Sequence, residues 1–128
     1  MNIEFEFMSG VFQKYHLKYQ GLILHRFWGP DTGDAHDHPF DIHITILEGG
    51  YAERVWQRDG SSERHVRKPG DQFVTAHDKI HRIEALLDGP CLTLTSYGPK
   101  VQEPGFWRWI DGVAQRRQWN GDWLTITP

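Results

Sequence analysis

Residues 35-AHDHPFDIHITILEGG-50 join metal-ligand chemistry to strand periodicity. His36, His38 and His43, with Asp37 and Asp41, head an apolar, β-branched run that closes on Gly49-Gly50. In extended chain, residues two apart share a face. His36 and His38 therefore project together, and Asp37 between them projects the other way, toward a neighbouring loop or histidine. A divalent metal needs imidazole nitrogens about 2.0–2.2 Å away, from several directions. H-x-H supplies two of them from one strand, and His43 follows on the same element. A single strand cannot surround an ion, so a further ligand must come from a distant segment. For His43 the competing readings are a core histidine bonded to a carbonyl and a strand position facing outward. Asp41 is a competing carboxylate.

On either side the chain reads as short strands set off by turns. In 21-GLILHRFW-28, Leu22, Leu24, Arg26 and Trp28 share one face and Ile23, His25 and Phe27 the other. If the first face is interior, Arg26 is placed to hold a substrate carboxylate in a bidentate pair. The segment 8-MSGVFQKYHLKYQ-20 fits a helix or a strand equally. Turns are expected at Asp59-Gly60, 69-PGD-71, 88-DGP-90, Asp111-Gly112 and Asn120-Gly121. Many short strands with little helix predict an all-β sandwich or barrel.

Composition bounds the function. The 128 residues suit one domain. A lone cysteine, Cys91, permits no intrachain disulfide and reads as a small buried hydrophobe. A net charge of -3 with mixed signs argues against a basic nucleic-acid face. No apolar run approaches the roughly 20 residues of a membrane span. The start, MNIEFEFMSG, lacks the basic and apolar regions of a signal peptide. A soluble cytoplasmic protein is expected, without nucleic-acid or membrane partners.

The distant ligand is sought in 70-GDQFVTAHDKIH-81, a glycine turn and a strand followed by His77 and His81. Together the two segments resemble the cupin superfamily of small jelly-roll (double-stranded β-helix) barrels. Its first motif is G-x5-H-x-H, three or four residues, Glu, six residues, Gly; its second is G-x5-P-x-G-x2-H-x3-N. His36, His38 and Gly50 match the first, with His43 at the glutamate position and Pro30 where the first glycine belongs. Gly70 and His81 match the second, while Ala76, Asp78 and Ala85 replace its proline, glycine and asparagine. "HDHPFD" and "GPKVQEPGFW" further resemble a group of bacterial and phage cupins with no assigned substrate.

The resemblance implies a single cupin domain over residues 1–128. Its barrel core spans about 21–98, and a C-terminal aromatic hairpin spans about 104–128. It implies a metal site of His36, His38, His43 and His81, with His77 as the rival to His81. One divalent transition metal is expected: iron(II) first, with zinc, nickel, manganese or copper also compatible with nitrogen ligands. Arg26, Tyr51 and Tyr97 are the expected substrate contacts, and no general base is evident. Trp28, Phe40 and Phe73 are further aromatics for a pocket wall. The function expected is an iron(II) dioxygenase acting on a small polar molecule. The alternatives are a metal-dependent isomerase or lyase, and a non-enzymatic small-molecule-binding cupin. A homodimer is expected.

Overall fold

The computed structural model describes residues 21–127, together with the backbone of two earlier strands, Ile3–Ser9 (β1) and Phe12–Leu17 (β2). The ambiguous segment 8–20 is thus strand over Phe12–Leu17; Gly10, Val11 and 18–20 lie outside the described residues. Among the described residues there is no helix.

Two antiparallel sheets make up the molecule. One runs β1-β2-β3-β10-β5-β8, with β3 at Leu22–Phe27, β5 at Ile42–Glu48, β8 at Gln72–Thr75 and β10 at Cys91–Tyr97. The other runs β13-β12-β11-β4-β9-β6-β7. Its strands are β4 (Ala35–His36), β6 (Tyr51–Trp56), β7 (Ser62–Arg67), β9 (Ile80–Leu86), β11 (Gly105–Ile110), β12 (Val113–Gln118) and β13 (Leu124–Thr125). Consecutive strands of the chain often lie in different sheets, which is the winding of a jelly-roll.

The turns follow their residue chemistry. Asp111 (φ 50°) and Gly112 (φ 78°) are both left-handed, the geometry a tight two-residue hairpin needs between β11 and β12. Gly49 and Gly50 have φ of 78° and 87° and let β5 fold back into β6. A Cβ on Gly50 would meet the Arg67 carbonyl oxygen at 2.5 Å, so both space and dihedral demand glycine there.

Strand alternation divides the apolar residues between two cores. Ile46, Tyr51, Ile83 and Cys91 pack between the sheets with Phe27, Ile44, Phe73 and Leu86. Each such large side chain, fully buried, contributes about 1.5–3 kcal/mol. Ala35, Ile80, Trp107 and Ala114 alternate to the opposite face of the second sheet and pack with Trp56, Trp109 and Ile126. Three tryptophans stack there: Trp109 lies 5.9 Å from Trp56 and 6.4 Å from Trp107. The inner face of the same sheet carries His36 and His81 beside Tyr51 and Ile83.

Candidate metal centre

Strand β4 is only two residues long, yet it bridges β11 and β9. Its register sets His36 directly opposite His81. His38, two residues on, turns to the same side. The three rings have centroids 4.9–5.2 Å apart. One nitrogen from each ring lies within 4.8 Å of the others. His38 Nε2 and His81 Nε2 are 2.8 Å apart, close to the roughly 3 Å between two imidazole nitrogens sharing one first-row ion at about 2.1 Å.

Hydrogen bonds orient two of the rings. His81 Nδ1 donates to Glu53 Oε1 at 2.9 Å, which leaves the Nε2 lone pair facing the cluster. His36 Nδ1 lies 3.4 Å from the Asp34 carbonyl. Glu53 is fully buried and also accepts from Arg67 Nε at 2.9 Å and Lys79 Nζ at 2.8 Å. Burial alone would raise the Glu53 carboxyl; His81 and Lys79 overcome it and hold the group well below the usual carboxylate range. Burial, then the neighbouring His81, lowers the pKa of both His36 and His38. Both rings are therefore held toward the neutral form that binds metal.

Asp37 points away from the cluster, as its place in H-x-H requires. It is 4% exposed and accepts from Gly105 N at 2.7 Å, Trp107 Nε1 at 2.8 Å and the Arg116 guanidinium. The two histidines are thus anchored from behind by the β11–β12 hairpin.

The imidazoles open onto a cavity of about 390 Å3 between the sheets. Ile42 and Ile44 of β5, Phe27 of β3 and Ile83 of β9 give it apolar walls. Tyr51, Tyr97 and Phe40 line it; Trp28 and Phe73 do not. Two features had no warning in the motifs. The Tyr97 hydroxyl lies 2.9 Å from His25 Nε2, and both side chains line the cavity. Thr75, fully buried, lines it with a hydroxyl that has no partner among the described residues. An orphaned buried hydroxyl costs about 1–3 kcal/mol.

Two expected site residues face elsewhere. His43 is exposed, on the opposite face of β5 from the cavity-lining Ile42 and Ile44. This corrects the expectation of a fourth imidazole ligand: side chains alternate along β5, and Ile42 and Ile44 take the inward face. Arg26 is also exposed, beside the Trp28 ring at 5.6 Å, because β3 turns His25 and Phe27 inward. The expected carboxylate clamp is therefore absent from the cavity. His77, the rival to His81, bonds Asp41 Oδ1 at 2.9 Å, which removes both from the cluster. Arg82 reaches the Gly33 carbonyl, outside the cavity. Glu53 was missed. Its only signal was an acidic residue next to Tyr51 and Ala52 on the strand that follows Gly50.

No family profile and no curated protein matches the sequence. Solved structures match through their fold. The Drosophila melanogaster CENP-C cupin domain superposes with a TM-score of 0.58 at 13% identity, over 76% of this chain and 76% of that one. Hydroxypropylphosphonic acid epoxidase from S. wedmorenis gives 0.57 at 12%, over 73% of this chain and 54% of that one. A chain from a study of the DMSP lyases RdDddP and RnDddQII gives 0.57 at 16%, over 80% and 61%. The chain has the cupin fold, an all-β jelly-roll, as the two histidine motifs implied.

Proposed function

We propose that the protein is a metal-dependent enzyme whose centre is His36, His38 and His81, with iron(II) as the metal and oxidation of a small molecule by dioxygen as the reaction. The observation that carries this reading is the convergence of three donor nitrogens within 4.8 Å on the wall of a cavity large enough for a small-molecule ligand. Three neutral nitrogens suit a first-row transition metal and leave coordination positions open. Bound iron(II) would supply redox chemistry toward dioxygen. The chain itself does the rest. Glu53 fixes the His81 ring, and Asp37 fixes the H-x-H backbone against the hairpin. The apolar walls keep bulk water from the substrate.

Elemental analysis of protein purified without chelator or affinity tag should find about one metal per chain. Reduced, iron-loaded protein should consume oxygen with at least one member of a panel of thiols, amino acids and catechols. Absence of uptake across the panel would remove the dioxygenase reading.

A second reading, an isomerase or lyase using the metal as a Lewis acid, is favoured by the Tyr97–His25 pair, which brings proton-transfer groups into the cavity. The similarity in fold to a chain described with DMSP lyases is in keeping with it. Turnover that persists under anaerobic conditions would select it over the first.

A further inference from the structure

The cavity has polar groups at two places besides the imidazole cluster, and their spacing describes a ligand. On the inner face of the first sheet, Tyr97 pairs in register with Ile42, and Ile42 pairs with Thr75. The backbones at Tyr97 and Thr75 thus stand on either side of an apolar strip, two strand spacings or about 10 Å apart. At one end, the Tyr97 hydroxyl sits between His25 Nε2 at 2.9 Å and Thr95 Oγ1 at 3.2 Å. Thr95 Oγ1 itself reaches the Ile23 carbonyl at 3.1 Å. Burial pushes the Tyr97 phenol up, so it stays protonated and able to donate. At the other end, the buried Thr75 hydroxyl has no partner among the described residues. Between them lie Ile42 and Ile44.

The charges in the lining narrow the ligand further. Among the described residues, no arginine or lysine lines the cavity. The carboxylate of Asp31, which does line it, is committed to the Ile83 amide at 2.8 Å. Lys79 and Arg67 are spent on Glu53. Away from the imidazole cluster, no arginine or lysine among the described residues of the wall neutralises a carboxylate or a phosphate, and the Asp31 carboxylate repels both. Burying such an ion unpaired is heavily disfavoured.

We propose that the cavity binds a largely apolar small molecule that carries no anionic group and has a hydroxyl at each end, one bonded by Thr75 and the other by the Tyr97–His25 pair. This rests on the reading of the cavity as the substrate site, but not on which metal or reaction serves it. Tyr97 and Thr75 are then the residues that set specificity, by rejecting analogues that leave their hydroxyls unpaired.

The test compares three probes that share a ring: 4-hydroxybenzyl alcohol (uncharged, two hydroxyls), 4-methylphenol (one hydroxyl) and 4-hydroxybenzoate (a carboxylate). Binding to the full chain is followed by methyl NMR of Thr75, Ile42 and Ile44, in protein as purified and again after chelation. After chelation, 4-hydroxybenzyl alcohol should bind at least threefold tighter than 4-methylphenol and at least tenfold tighter than 4-hydroxybenzoate. Thr75→Val and Tyr97→Phe should each weaken the two-hydroxyl probe at least threefold and leave 4-methylphenol changed by less than that for at least one of them. If 4-hydroxybenzoate binds the chelated protein as well as the alcohol does, or if no probe shifts these methyls, the proposal is overturned without any variant. Carboxylate binding that disappears on chelation reports ligation by the metal and leaves the alcohol preference as the deciding result. A protein that holds no metal yet shows the alcohol preference keeps this proposal and loses the metal-centre reading, so the two fail separately.

Discussion

Asp37 and Arg116 stand 79 positions apart in sequence and meet as a two-point pair, Nε to Oδ2 at 2.9 Å and Nη2 to Oδ1 at 3.1 Å. The carboxylate is almost fully buried and the guanidinium 21% exposed. Because Asp37 separates the two H-x-H imidazoles, this pair ties the cluster to β12. Asp37→Ala strands the arginine and frees the Gly105 amide and the Trp107 indole. A loss of about 3–5 kcal/mol is expected, a fall in Tm on the order of 10 °C or more. Thermal unfolding checks it; a change below about 1 kcal/mol would show that the pair does not hold the hairpin.

His38→Ala and His81→Ala should each abolish stoichiometric metal binding while the far-UV circular dichroism stays that of the β fold. His43→Ala should bind metal as the unsubstituted protein does, since the ring faces outward. Titration with a metal-competing dye reads all three. Retained affinity in either of the first two variants, or lost affinity in the third, contradicts the ligand set.

Glu53→Gln keeps an acceptor for His81 but removes the charge that Lys79 and Arg67 share. Metal affinity should fall about 10–100-fold, the usual size of an orienting-partner effect. Stability should fall too, because two cations lose their carboxylate. Chelator competition separates the first effect from the second, which denaturant unfolding measures.

Gly50→Ala places a methyl group against the Arg67 carbonyl at a left-handed φ. A cost of about 1–3 kcal/mol is expected in urea unfolding. An unchanged midpoint would mean that the β5–β6 corner can relax.

Much of this was legible in the sequence where local spacing carried the information. H-x-H states by itself that two imidazoles share a face. Gly70 and His81 keep the spacing of a known motif, and Asp111-Gly112 is a turn by its chemistry. The outward turn of His43 is legible too: Ile42, Ile44 and Ile46 alternate with it, so parity alone sends it to the other face. Arg26 was a true ambiguity, because β3 carries large apolar residues on both faces. Parity there fixes which residues travel together but not which set is inside. Glu53, Thr75 and the Tyr97–His25 contact were out of reach. Glu53 meets His81 across 28 positions and Tyr97 meets His25 across 72, and only the register between strands creates those neighbours.

Among the described residues, the two-residue strand β4 makes the only strand pairing that joins β11, β12 and β13 to β9 and the remainder of their sheet. His36 lies in that strand and His38 just after it, whereas His81 stands across the pairing on β9. Loosening the last third of the chain should therefore displace His36 and His38 first, through Asp37, while His81 keeps its place against Glu53.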